Sequence, residues 1–188
     1  MIICVYSSSS DVVEKKYFES AYNLGKEIAK RGDTLIYGGG RVGLMGACAK
    51  GVHDGNGKVV GVIPKALNIE GVVYDSCDDL IITEDMRSRK KIMDEQSDAV
   101  IALPGGFGTL EELFEMITLK QLKYHCKPIA ILNTEGYYNP LIELFERVIQ
   151  HKFAKEYMRS LYYVSSDVRD ILNYIDAYEP VEIEQKWF

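Results

Sequence analysis

Short, wholly apolar runs alternate with longer stretches in which apolar and polar positions recur at helical spacing. The runs are Ile2–Tyr6, Thr34–Tyr37, Val59–Ile63, Leu80–Thr83, Ala99–Leu103, Ile129–Leu132 and Leu161–Val164. They are rich in Val, Ile and Leu at consecutive positions, the pattern of strands buried on both faces of a parallel sheet. Between them, Val12–Arg31 places Val13, Phe18, Ala21, Leu24 and Ile28 on one side and charges on the other, and it closes on Arg31-Gly32, a helix stop signal. Leu44–Val52, Arg87–Gln96, Thr109–Tyr124, a helix opened by Asn139-Pro140 and running toward His151, and Asp167–Tyr174 complete the set. Strand and helix alternate throughout, which predicts an α/β fold: an open parallel sheet of about seven strands with helices on both faces.

No repeat, low-complexity tract or linker interrupts the 188 residues, so residues 1–188 are expected to form a single domain, with 180–188 as a peripheral tail. A chain this long buries a core without disulfides or a metal. The four cysteines (4, 48, 77 and 126) form no C-x-x-C pair and the three histidines are scattered, so no metal site is expected. Cys4 and Cys48 lie in apolar segments and read as small buried hydrophobes. Nothing resembles a signal peptide or a membrane span, and a cytoplasmic protein without membrane partners is expected. The net charge of −6 argues against a nucleic-acid binder, though not against a small anionic ligand.

Ligands of such sheets bind beyond the carboxyl ends of the strands. Three strand ends here carry unusual residues. Tyr6–Ser10 offers hydroxyls and backbone N–H groups to a phosphate or a ribose, or else is a plain loop in which Ser10 or Asp11 caps the next helix. Gly38–Gly46 formally satisfies G-x-G-x-x-G, yet it follows the second strand and the next strand ends in Pro64 rather than an acid. A dinucleotide site is therefore not expected, and no Walker sequence is present. What remains is a tight glycine turn that lets backbone approach a ligand. Leu103–Glu112 places three glycines and Thr109 at a strand-to-helix junction, where exposed N–H groups and the helix dipole attract an anion. Glu112 lies about one turn into that helix and could cap it or serve chemistry. Met86–Lys91 puts four bases in five positions, either a solvated helix face or a cationic clamp.

Leu103–Glu112 resembles the P-G-G-x-G-T-x-x-E motif of the Lonely guy (LOG) family, the cytokinin riboside 5′-monophosphate phosphoribohydrolases. The resemblance spans roughly positions 2–175 and includes Tyr37–Gly46, Gly61–Lys65, Arg89-Lys90, Gln121–Lys127 and Leu132–Asn139. It implies a Rossmann-like fold, a homodimer, no cofactor and no metal. The reaction it implies is hydrolysis of the N-glycosidic bond of an N6-modified adenosine 5′-monophosphate to free base and ribose 5-phosphate. By the same resemblance Arg89 and Glu112 are catalytic. Substrate-binding positions fall on Glu70, Lys90, Gly105, Gly106, Phe107, Gly108, Thr109, Leu110, Glu111 and Thr118. Members of this family have also been labelled lysine decarboxylases, but no pyridoxal-phosphate lysine motif is present.

The residues fit the implied chemistry. A carboxylate near C1′ would stabilise the positive charge that develops on the ribose or activate water. A phosphate held by Gly105–Thr109 would fix the ribose within reach. Five residues in three places depart from the family's usual pattern: Arg87-Ser88 replace His-Glu, Tyr6-Ser7 replace Cys-Gly, and Leu119 replaces Trp. Alternatives are a broader purine nucleotide 5′-monophosphate nucleosidase acting on AMP, and a non-catalytic nucleotide or molybdenum-cofactor carrier. The apolar Leu113–Leu122 helix suits either a dimer face or packing on the sheet.

Overall fold

The structure is a computed structural model that describes residues 1–180. The remainder of the expected peripheral tail, 181–188, lies outside the described residues. The strands are β1 (Ile2–Tyr6), β2 (Thr34–Tyr37), β3 (Lys58–Pro64), β4 (Asp79–Thr83), β5 (Ala99–Ala102), β6 (Ile129–Leu132) and β7 (Tyr163–Ser165). The helices are α1 (Lys15–Lys30), α2 (Gly43–Asp54), α3 (Met86–Glu95), α4 (Phe107–Gln121), α5 (Asn139–Gln150) and α6 (Val168–Asp176). All six strand pairings are parallel, in the order β4-β3-β2-β1-β5-β6-β7. The predicted α/β architecture is therefore the observed one.

Side chains alternate across the pleat and define two cores. Ile3 and Val5 of β1 face α1, α2 and α6, with Leu24, Cys48 and Ile171 among the buried residues. Cys4 and Tyr6 face the opposite side, where Met93 of α3, Leu113 of α4 and the α5 residues pack. Cys4 and Cys48 are indeed buried, and burial pushes both thiols up to about 12.

Three local expectations need correction. β4 is not buried on both faces: Leu80 and Ile82 are 37% and 48% exposed. It is one of the two edge strands, and an apolar run carries no information about which strand the sheet leaves uncovered. The first helix starts at Lys15 rather than Val12, and neither Ser10 nor Asp11 caps it. Val12 is 89% exposed instead. The last strand begins at Tyr163, because Glu156–Leu161 forms a 3-10 turn that spends Leu161 in the core.

The apolar α4 helix divides between the two readings of its sequence. Leu113 and Met116 are buried against the sheet, whereas Phe114 and Leu122 are 40% and 42% exposed. Among the described residues no helix is long and apolar enough to cross a membrane.

One buried charge has a measurable consequence. Lys120 is fully buried; its Nζ donates to the Leu161 carbonyl at 3.0 Å and lies 4.6 Å from the Tyr178 ring centroid. Burial pulls its ammonium down to about 8. An unfolded lysine keeps its proton to about pH 10.4. Between these values the unfolded chain binds a proton that the native chain has lost, so this residue's contribution to stability rises with pH. Denaturant unfolding at pH 7 and pH 10 tests this against Lys120→Met, with the shared cysteines and tyrosines cancelling in the difference. Wild type should gain about 2 kcal/mol relative to the variant on going to pH 10. A difference that does not change with pH would show that Lys120 does not titrate in this range.

Candidate active site

The strand order places the reversal point between β1 and β5. Connections leave these two strands toward opposite edges, which opens a crevice beyond their carboxyl ends. The three unusual strand ends belong to β1, β2 and β5, which are neighbours in the sheet. They therefore converge. A cavity of about 580 Å³ lies there, lined among others by Ser7, Gly38, Met45, Arg89, Thr109 and Glu112. That volume is in the range of small-molecule sites, roughly 300–1,000 Å³.

Arg89 and Glu112 meet on its wall. Asp85 caps α3 by accepting from the Ser88 amide at 2.8 Å, which sets the helix from which Arg89 points inward. Arg89 Nε donates to the Val62 carbonyl at 3.0 Å, and Nη1 donates to Glu112 Oε1 at 2.8 Å. Both residues are 8% exposed. Glu112 Oε2 has no hydrogen bond among the described residues. Glu112 is the sixth residue of α4, too deep to cap the helix, so the capping alternative fails.

Burial raises the Glu112 pKa above the usual carboxylate value, and the charge and hydrogen bond of Arg89 pull it partly back. Gly38 is what admits the guanidinium: a Cβ at this position would lie 1.9 Å from Arg89 Nη2. Gly38 thus clears space for a side chain, and with Gly40 it also lines the cavity.

The β5–α4 junction supplies the second half of the site. Gly106, in extended backbone, precedes the first turn of α4, so the N–H groups of Gly106–Thr109 have no partner within the helix. Thr109 is 4% exposed, and its hydroxyl lies where a Cβ on Gly105 would have to go. Phe107, by contrast, is 92% exposed on the rim. Ser7 adds a hydroxyl that sequence reasoning did not single out from its loop. It is 9% exposed, lines the cavity, and its Oγ has no hydrogen-bond partner among the described residues. A buried hydroxyl without a partner is costly, and a polar ligand group would satisfy it.

Of the residues proposed from sequence, the cavity wall gathers Arg89, Gly106, Phe107, Gly108, Thr109 and Glu112. Gly105 lies behind the loop, on a smaller pocket. The structure does not bring the others to the wall. Lys90 is held by Glu111, and by Glu115 at 2.7 Å, so this pair of predicted binding residues is engaged with itself. Leu110 packs toward the core. Glu70 is exposed, although its neighbours Leu67 and Val72 line the cavity. Thr118 is exposed six residues beyond Glu112, about 9 Å along the helix axis. The basic run divides likewise: Arg89 turns inward, while Arg87 and Lys91 stay on the solvated face. Among the described residues no group of three or more His, Cys, Asp or Glu is placed to hold a metal ion.

Comparison with known proteins gives a consistent picture. A family model described as "Possible lysine decarboxylase" matches residues 45–175. Cytokinin riboside 5′-monophosphate phosphoribohydrolase LOG7 of Arabidopsis thaliana is 40% identical over 178 residues, 95% of this chain and 82% of that protein. LOG3 of the same plant is 39% identical, covering 95% of this chain and 83% of that protein. Among solved structures, a molybdenum cofactor binding protein from Rippkaea orientalis is similar with a TM-score of 0.73 and 26% identity. That match covers 94% of this chain and 95% of the other.

The electrostatics of the pair can be tested directly. By carboxyl carbon NMR, Glu112 should titrate above an ordinary glutamate, and Arg89→Met should move it further up, because the stabilising charge is gone while burial remains. An identical Glu112 titration in the two proteins would refute Arg89 as its counter-charge.

Proposed function

The chain belongs to the Lonely guy (LOG) family, and on that premise we propose that it hydrolyses the N-glycosidic bond of N6-modified adenosine 5′-monophosphates. The products are the free base and ribose 5-phosphate. The observation that carries this reading is the buried Arg89–Glu112 pair beside a phosphate-ready helix N-terminus.

In this reading the 5′-phosphate sits on the Gly106–Thr109 N–H groups and the Thr109 hydroxyl, where the dipole of α4 favours negative charge. Fixing the phosphate fixes the ribose and removes most of the entropic cost of reaching C1′. As the bond from C1′ to the base nitrogen lengthens, its electron pair leaves with the base and positive charge grows on the ribose. The Glu112 carboxylate, held in low dielectric, stabilises that charge and orients the attacking water. Water oxygen bonds to C1′, and a water proton ends on the departing base. Arg89 keeps Glu112 ionised and aligned. Because burial raises the Glu112 pKa, activity falls on acidification from a higher pH than an ordinary glutamate would give. Glu70 stands at the rim beside Leu67 and Val72, within the loop nearest an N6 substituent entering from solvent. In this reading the protein is a homodimer joined along α4, where Phe114 and, just past the helix, Leu122 are exposed. Light scattering should give the mass of two chains; the mass of one chain would remove the dimer from this reading.

Two other activities are separated by one experiment. A broader nucleosidase would cleave AMP best. The likeness to a molybdenum cofactor binding protein favours a carrier, which would bind ligand and release nothing. Release of free base is measured with AMP, GMP and isopentenyladenosine 5′-monophosphate. The isopentenyl nucleotide should show the highest kcat/KM. Glu112→Gln should lower kcat by about 100-fold or more, the scale of losing a transition-state electrostatic partner, with KM little changed. Undiminished ribose 5-phosphate release by that variant would overturn the mechanism. Tight binding with no base released from any of the three would favour the carrier.

A further inference from the structure

The Leu132–Asn139 segment is a motif of the sequence that the chemistry above leaves without a task. It joins β6 to α5 through a single 3-10 turn, Thr134–Gly136. Its backbone is unusual. Glu135 and Gly136 both have positive φ, 55° and 72°. A non-glycine residue there is strained, and such strain persists only where the surroundings impose it. Here Asn133 imposes it. Its Oδ1 accepts from the Tyr138 amide at 2.7 Å, its Nδ2 donates to Asn139 Oδ1 at 2.8 Å, and its own amide donates to Ser165 of β7 at 2.8 Å. The turn is thereby folded back, and its two tyrosines project toward the end of β5.

Their hydroxyls have specific destinations. Tyr138 donates to the Leu103 carbonyl at 2.6 Å, and Tyr137 donates to the Gly105 carbonyl at 2.7 Å. The carbonyl between them, on Pro104, accepts from the Ser8 amide at 3.3 Å. Three successive carbonyls leading into the glycine loop are therefore each held from outside the loop. The Tyr137 ring is in turn braced edge-on by Tyr17, with centroids 5.9 Å apart, and by Tyr138 at 4.9 Å.

Peptide planarity turns this into an aiming device. In a trans peptide the C=O of Gly105 and the N–H of Gly106 point in opposite directions. Tyr137 holds the carbonyl from behind the loop, where both residues line a smaller pocket with Tyr17 and Leu44. The Gly106 N–H is thereby turned to the opposite side. Gly106 lines both the smaller pocket and the main cavity, whereas Gly105 and Tyr137 line only the smaller one, so the side away from Tyr137 is that of the main cavity. Two adjacent glycines have little intrinsic preference for that orientation, so the restraint must come from elsewhere.

We propose that Tyr137 and Tyr138 are positioning residues for the anion loop: their hydroxyls clamp the Leu103 and Gly105 carbonyls and so aim the loop's N–H groups at a phosphate. The proposal rests on the reading that this loop receives the 5′-phosphate. Tyr137→Phe removes one hydroxyl and keeps the ring, on a residue that is 42% exposed and tolerant of the change. Calorimetric binding of orthophosphate, of AMP and of adenosine is compared between wild type and variant, alongside base release from isopentenyladenosine 5′-monophosphate. The Kd values for orthophosphate and AMP and the KM for the nucleotide should rise together by about 3- to 10-fold, the scale of one lost hydrogen bond. The Kd for adenosine, which lacks the phosphate, should not move, kcat should stay within about twofold, and Tm within a few degrees. Tyr138→Phe should act in the same direction, with its Tm followed because Tyr138 is buried. Unchanged phosphate and AMP binding in Tyr137→Phe overturns the clamp, as does an equal loss for adenosine. Since the binding arms need no turnover, a wild-type protein that releases no base would refute the proposed reaction while leaving the clamp to be decided by phosphate binding.

Discussion

A carboxylate kept ionised inside the crevice is the constraint on which the site depends. Taking Glu112 out of water favours its neutral form, and the cost of a buried isolated charge runs to several kcal/mol. Arg89 offsets that cost only because it is itself fixed at both ends of its guanidinium, on the Val62 carbonyl and on Glu112. Its position in turn requires Gly38, since any side chain there would occupy the space of Nη2. The carbonyl of β3, the glycine after β2 and the carboxylate on α4 are thus one unit, joined by an arginine from α3. A purely apolar floor of the same shape would cost less to bury. The ion pair makes sense as stored electrostatics, oriented before a charge appears on the ligand rather than reorganised when it does.

Much of this was legible along the chain. Runs such as Ile129–Leu132 leave no ambiguity, because four consecutive apolar residues must be covered on both faces. The convergence of Ser7, Gly38 and the Gly105–Thr109 loop followed from strand order alone, once the first, second and fifth strands were neighbours. What periodicity does not carry is position within the sheet. Leu80 and Ile82 read like any buried strand, yet they lie on an edge, and nothing local distinguishes the two. Boundaries failed for a related reason. Leu161 is as apolar as a strand residue, but the core accepts it equally well from a 3-10 turn.

The site was legible in its chemistry and not in its wiring. Gly38 looked like part of a nucleotide fingerprint, whereas its task is to clear space for an arginine more than fifty residues away in sequence. The family resemblance implies Lys90 and Glu111 as ligand contacts, but neighbours on a helix point their side chains in different directions. They face each other outside the cavity. Tyr137 and Tyr138 lie in a motif of the family resemblance, but that motif assigns them no task. Their role depends on which backbone carbonyls lie within reach of their hydroxyls, a property of the fold and not of the motif. The one available hint was an odd one: a Glu-Gly pair that the structure places at positive φ, where an easier sequence would have served had the turn been free to relax.

The same wiring decides which departures from the family pattern carry weight. Ser88 gives its amide to the Asp85 cap, and Arg87 stands on the solvated face of α3, so replacing the usual His-Glu leaves Arg89 where it was. Leu119 lies on α4 nearly two turns beyond Glu112, away from the cavity wall. Tyr6-Ser7 is different, since both residues line the cavity and Ser7 brings a buried hydroxyl with no partner among the described residues. A hydrogen-bonding group of that kind discriminates strongly, because a ligand that fails to satisfy it leaves the desolvation cost uncompensated. The end of β1, rather than the altered basic helix, is therefore where a departure from the family pattern reaches the cavity.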